Sequence, residues 1–120
     1  MSFGTEDLRR LAVAQEVDIE TQAPDGPVHR TTIWVVVDVD ETFIRSYLGP
    51  DARWYREALA NPAVAVHVDD RRLAATAIPA TDPDSVERVS SAFREKYPPG
   101  ASTTAMATQY LDTTLRLEPT

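Results

Sequence analysis

The chain has 120 residues, 42% of them hydrophobic and 26% charged, with a net charge of −7 and no cysteine. This is the length of one domain, 1–120, and it can bury a core without metal or disulfide support. The missing cysteine excludes disulfide frameworks, thiolate zinc sites and cysteine nucleophiles. The acidic balance opposes general nucleic-acid binding, which rests on neutralising phosphates.

No apolar run approaches the ~20 residues of a membrane span. The opening "MSFGTEDLRRLAVAQEVD" has no basic region followed by a long apolar stretch, as a signal peptide would. The expectation is a cytoplasmic protein with neither nucleic-acid nor membrane partners. Lys96 is the only lysine, so the remaining cations are arginines.

In chain order, "TEDLRRLA" predicts a short helix with Thr5 as N-cap and Leu8, Leu11 and Ala12 on one face. "EVDIET" alternates as a half-buried strand, with Val17, Ile19 and Thr21 pointing one way. "APDGP" is a turn. Residues 29–38 and 41–48 read as a hairpin around the acidic turn "DVDE". Gly49-Pro50 then breaks the pattern. Asp51 caps a helix over 52–60 whose inner face carries Trp54, Tyr55, Ala58 and Leu59, and Asn61-Pro62 ends it.

"AVAVHVD" and "LAATAIPA" form a second hairpin around "DDRR", with Val64, Val66 and Val68 inward. Asp82-Pro83 starts another helix, with Val86, Val89, Phe93 and Tyr97 on one face. It ends at Pro98-Pro99-Gly100. "ASTTAMATQYLD" is weakly patterned and reads as a mobile loop or a short helix. "TTLRLEP" is the last strand. About six strands joined by tight turns predict an antiparallel small barrel or strongly coiled sheet, mainly β with three helices.

Pairing 37 with 42 in the first hairpin places Val36 opposite Phe43, Trp34 opposite Arg45 and Thr32 opposite Tyr47. One face then collects Arg30, Thr32, Trp34, Arg45 and Tyr47. The other collects Thr31, Ile33, Val35, Val37, Thr42, Ile44 and Ser46. Guanidiniums, hydroxyls and rings on one face have the character of an anion site beside a stacking platform. A helix N-terminus follows at once, with Arg53 in its first turn, where a cation opposes the macrodipole unless an anion is near. A purely structural reading stands beside this one. In it Arg30 is an exposed strand-end residue and Arg45 pairs with Glu41 or Asp38.

Residues 17–82 resemble the pyridoxamine-phosphate-oxidase-like split β-barrels and their deazaflavin-dependent nitroreductase-like relatives, in a branch known only as a domain of unknown function. The resemblance rests on "HRTTIWVVVDVDETFIRSYLGPDARWYREALANPAVAVHVDDRRLAATAIPA". An arginine opens a hydrophobic strand, and a hairpin ends in Arg-Ser. A basic residue begins a short helix, and Asn-Pro precedes a valine-rich strand. "APDGPVHRTT" stands where the deazaflavin group carries a Gly-Arg-x-Ser-Gly turn. The oxidases' lysine at the end of the first hairpin strand is replaced by Val35.

The resemblance implies a split barrel that binds FMN, with the 8-hydroxy-5-deazaflavin cofactor or none as alternatives. It implies Arg30, Arg45 and Arg53 on the phosphate, Thr31, Thr32 and Ser46 on the phosphate or ribityl chain, and Trp34 or Trp54 against the ring. It further implies a homodimer with the cofactor between subunits, acting as an oxidoreductase on a small molecule. A barrel that binds a small ligand or anion without turnover is the other reading. His29 and His67 lie far apart in sequence and show no metal-ligand pattern. Asp69-Asp70 reads as a solvated turn, and Tyr47 and Tyr110 as packing residues.

Overall fold

The structure, a computed structural model, describes residues 2–120. Its strands are β1 (Val17–Gln22), β2 (Val28–Ile33), β3 (Val36–Asp38), β4 (Glu41–Ile44), β5 (Ala63–Val68), β6 (Arg71–Pro79) and β7 (Leu115–Pro119). Its helices are α1 (Thr5–Val13), α2 (Arg53–Ala60), α3 (Pro83–Lys96) and α4 (Ala101–Thr108). The strands form one sheet in the order β2-β1-β5-β6-β7-β4-β3, and every pairing is antiparallel. β2 and β3 are its opposite edges, yet only Trp34 and Val35 separate them in the chain. The sheet must therefore curl until its edges approach, which makes it a split barrel.

Seven strands form rather than six, because the expected strand 29–38 breaks at Trp34–Val35. The reason lies in α3 and not in a local breaker. The Val35 N–H donates to Tyr97 Oη at 3.3 Å, and the Val35 carbonyl accepts from Lys96 Nζ at 2.6 Å. The Tyr97 hydroxyl donates to the Gln15 carbonyl at 2.7 Å, and Lys96 also reaches the Leu11 carbonyl at 3.1 Å. The last residues of α3 thus satisfy a buried peptide that has left the ladder, as buried backbone groups require. They tie the end of α1 to the same point.

The β3–β4 register is as expected at Val36↔Phe43, Val37↔Thr42 and Asp38↔Glu41. Its loop places Val39 and Asp40 at φ 46° and 64°, the left-handed pair that a two-residue hairpin needs. Beyond Phe43 the expectation fails. β4 ends at Ile44, so the pairs Trp34–Arg45 and Thr32–Tyr47 do not form. β2 pairs instead with β1, placing Arg30 opposite Glu20 and Thr32 opposite Asp18. The turn carboxylates Asp38 and Glu41 pair with Arg88 of α3 at 2.7 and 2.9 Å, not with Arg45.

Two cores lie on the two sides of the curled sheet. Val17, Ile19, Ile33, Val66, Leu73, Leu115 and Leu117 pack with Leu11 of α1 and Trp54, Tyr55 and Ala58 of α2. Val36 and Phe43 pack with Val89, Phe93 and Tyr97 near the α3 side and with Met106 of α4. Phe93 is fully buried, so its truncation to alanine is expected to cost about 3–5 kcal/mol.

Asp82 caps α3 as expected, its Oδ2 accepting from the Ser85 N–H at 3.0 Å. Gly4 and Ala52, not Thr5 and Asp51, occupy the N-cap positions of α1 and α2. On α2, Leu59 is exposed and Glu57 is buried in its place. The weakly patterned segment is the helix α4, which packs on α3 through Thr103, Met106 and Ala107.

Candidate functional site

A cleft of about 420 Å³ opens beside the break in the sheet edge. β2 and the break contribute Thr31, Thr32, Ile33 and Trp34. The β4–α2 connection contributes Arg45, Tyr47 and Leu48, the start of α2 Ala52, Arg53 and Trp54, and α4 Ser102 and Met106. Glu16 completes the lining. Trp34 stacks on Tyr97 with ring centroids 3.8 Å apart and planes 6° apart. Tyr97 is itself held by Val35 and Gln15, so Trp34 is a fixed aromatic wall. Burial pushes the Tyr97 hydroxyl up to about 12, which keeps it a neutral donor.

Six of the eight expected site residues line this cleft: Thr31, Thr32, Trp34, Arg45, Arg53 and Trp54. Arg30 lies elsewhere. It is half exposed on the outer face of β2 and pairs with Asp18 at 3.0 Å. Thr32 Oγ1 donates to the same Asp18 carboxylate at 2.8 Å. That bond, with Arg30 assisting, holds the Asp18 carboxyl below the usual range. Ser46 is also outside the cleft lining, and buried. Its Oγ donates to the Gly49 carbonyl at 2.7 Å and its N–H to Thr113 Oγ1 at 3.0 Å.

Arg45 is 1% exposed although it borders the cleft wall. Nε donates to Thr114 Oγ1 at 2.8 Å, Nη1 to Ser90 Oγ and the Met106 carbonyl at 3.0 and 2.9 Å, and Nη2 to the Val86 carbonyl at 3.0 Å. All these partners are neutral. Desolvation lowers the guanidinium to about 10, which leaves it charged at neutral pH. The fully buried cation therefore joins α3, α4 and the approach to β7, and among the described residues no carboxylate pairs with it.

Arg53 is half exposed, with Nη2 3.4 Å from Thr31 Oγ1 and Nε 4.0 Å from Glu57 Oε2. The first-turn N–H groups of α2 have no side-chain cap. Two cations and a helix N-terminus thus border one side of the cleft, and a stacked tryptophan stands on its wall. This donor set fits a ligand that carries an anionic group and a planar ring.

Glu57 was not expected from the sequence. Burial alone would raise its carboxyl, but the hydrogen bond from Thr21 at 2.7 Å and the contact with His29 outweigh it and leave it lowered. His29 Nδ1 lies 3.1 Å from Glu57 Oε2. No sequence signal marked it, since Thr21 comes opposite His29 only through the β1–β2 pairing. Among the described residues no group of three metal-ligating side chains exists, and no helix is long and apolar enough to cross a membrane.

The fold is a split barrel, one shared with solved structures named as F420 reductases and a pyridoxamine 5'-phosphate oxidase. The chain belongs to the family described as "Uncharacterized protein conserved in bacteria (DUF2255)", whose model matches residues 7–117. Comparison with curated proteins finds no match.

Among solved structures, the heme storage protein HutZ of Vibrio cholerae is 15% identical with a TM-score of 0.72, over 100% of this chain and 92% of that one. An F420-H2 dependent reductase (FDR-A) is 21% identical with a TM-score of 0.66, over 87% and 94%. A pyridoxamine 5'-phosphate oxidase-like protein from Listeria innocua is 16% identical with a TM-score of 0.63, over 96% and 90%. At these identities the likeness establishes the fold.

Proposed function

We propose that the cleft binds a flavin-type cofactor, FMN in the first place and the 8-hydroxy-5-deazaflavin cofactor as the alternative. The protein is then a cytoplasmic oxidoreductase that moves hydride to or from a small molecule. One observation carries this reading: Arg53, at the uncapped start of α2, and the buried charge of Arg45 border the same cleft as the Trp34 ring. Solved structures of the same fold that are named as F420 reductases support it.

Arg53 holds the phosphate, Thr31 and Thr32 bond the phosphate or ribityl chain, and Trp34 or Trp54 packs the ring. Arg30 and Ser46 stand away from the cleft and have no part in these contacts. The cofactor supplies the hydride chemistry; the chain binds and orients it and excludes water. A second copy of the chain covers Tyr47 and Leu48, which are 53% and 72% exposed at the cleft.

The second reading is a dimeric barrel that binds a small anion without turnover. It is favoured by the Arg45 donors, four of which are spent on protein acceptors and not offered to a ligand. Titration with FMN, riboflavin and the deazaflavin cofactor separates the two. Tight binding of a phosphorylated flavin or deazaflavin supports the first; anion binding that ignores the isoalloxazine ring supports the second.

A further inference from the structure

The chain has two histidines, and the structure polarises them in opposite senses. His29 meets the Glu57 carboxylate through Nδ1, at 3.2 and 3.1 Å from its two oxygens. His67 meets Glu20 through Nε2, at 2.7 Å. An ionised carboxylate only accepts hydrogen bonds, so the ring nitrogen that faces it must carry the hydrogen. In the neutral ring, His29 is then Nδ1–H with its lone pair on Nε2, and His67 is the reverse. Among the described residues nothing pairs with His29 Nε2, and the side chain is 30% exposed.

Glu57 is fixed in turn. Its side chain is 10% exposed, Thr21 Oγ1 donates to Oε1 at 2.7 Å, and Arg53 Nε is 4.0 Å from Oε2. A buried carboxylate orients an imidazole and leaves its other nitrogen bare. This is the arrangement by which a protein prepares a histidine to accept a proton. His29 is not itself a lining residue of the cleft, but it neighbours residues that are. His29 and Thr31 lie on one face of β2, about 7 Å apart along the strand, and Thr31 lines the cleft. Arg53, the neighbour of Glu57, lines it too.

We infer that Glu57 and His29 form an oriented base at the rim of the cleft, which takes one proton at Nε2 from a ligand with an acidic O–H, N–H or C–H. The X–H bond breaks, the Nε2–H bond forms, and X− keeps the electron pair. The Glu57 carboxylate balances the resulting imidazolium, and return of the proton reverses the step. The groups that face the imidazole are Glu57 and Arg53 from α2 and Thr21 from β1. The inference rests on the cleft being a ligand site but not on which ligand fills it.

The test uses the whole protein and the second histidine as internal control. A long-range proton–nitrogen NMR spectrum at mildly alkaline pH is expected to show His29 as Nδ1–H and His67 as Nε2–H. Glu57→Gln should change the His29 pattern alone. An imidazole-acylating reagent, read by peptide mass spectrometry, should label His29 through its bare Nε2. Saturation of the cleft with FMN should slow labelling of His29 and leave that of His67 unchanged.

Matching tautomers, or no labelling of His29, would overturn the oriented base. Labelling of His29 that FMN does not change, in a protein that binds FMN, would place the base outside the ligand site and overturn its role. If FMN does not bind at all, the tautomers and the labelling of His29 still decide the base, and the failure belongs to the cofactor reading.

Discussion

Replacing Arg45 with methionine is the most informative single perturbation of this fold. The guanidinium makes four hydrogen bonds to Thr114, Ser90, Met106 and Val86 in a fully buried position. Charged donors contribute about 1.5–3 kcal/mol each, so the gross loss is about 6–12 kcal/mol. Against this, removing a desolvated charge recovers several kcal/mol, because no carboxylate offsets its burial. Methionine fills much of the volume, and Ser90 and Thr114 can turn to other acceptors. The expected net destabilisation is about 2–4 kcal/mol. With m of about 2 kcal/mol/M, the urea midpoint followed by tryptophan fluorescence should fall by about 1–2 M. Arg45→Lys should fail to rescue it, since one ammonium cannot span four acceptors held by a planar fork. An unchanged or raised midpoint for Arg45→Met would refute the staple and leave the charge to be explained by a ligand.

Other perturbations follow from the same contacts. Gly49→Ala places a Cβ 2.8 Å from the Tyr110 ring at φ +84°, so it should destabilise by about 1–3 kcal/mol; Tyr110→Ala should restore only the part due to the clash, read by thermal melts. Lys96→Met removes the donor to the Val35 and Leu11 carbonyls and should cost about 1–3 kcal/mol at neutral pH. Burial lowers Lys96 to about 8, so the unfolded chain binds more protons between about pH 8 and 10.5. Stability should therefore rise with pH across that window in the wild type, and Lys96→Met should lack this rise in urea unfolding. The Arg72 hydrogen bonds hold Glu20 at about 2, with His67 assisting, and Glu57 is also lowered. Their contribution is complete above about pH 4.5 and fades as pH falls toward 2; Glu20→Gln should flatten the acid limb of the stability curve.

The sequence displayed those parts of the fold whose cause is local. Alternation marks β1 and β5, Asp82-Pro83 marks the start of α3, and the acidic turn fixes the Val36↔Phe43 register. The break at Trp34–Val35 was hidden because neither residue is a breaker; Tyr97 and Lys96, 62 and 61 residues away, cause it. Once β4 ends at Ile44, alternation no longer governs Arg45, and its inward turn depends on acceptors in α3 and α4. Arg30 went to Asp18 because β2 pairs with β1, a choice the isolated hairpin does not reveal. Glu57 is a charged residue on one flank of the buried α2 face, and the hydrophobic pattern had favoured Leu59 on the other flank. Only Thr21 and His29, from two other strands, make its burial favourable. Of the residues to which the resemblance pointed, Thr31, Thr32, Trp34, Arg53 and Trp54 share one cleft because all are close to the break or to the start of α2.

The most direct test of the proposed function is the ratio of FMN to riboflavin affinity in the wild type and in Arg53→Ala, read by quenching of tryptophan and flavin fluorescence. Arg53 is half exposed and its contact with Glu57 is long, so the substitution should leave stability within about 1 kcal/mol. The account predicts that the wild type prefers FMN by a factor of about 10–150, the value of one charged hydrogen bond to phosphate, and that Arg53→Ala removes most of it by weakening FMN alone. Equal affinity for FMN and riboflavin in the wild type, or a preference that survives in Arg53→Ala, would contradict the assignment of the phosphate to the start of α2.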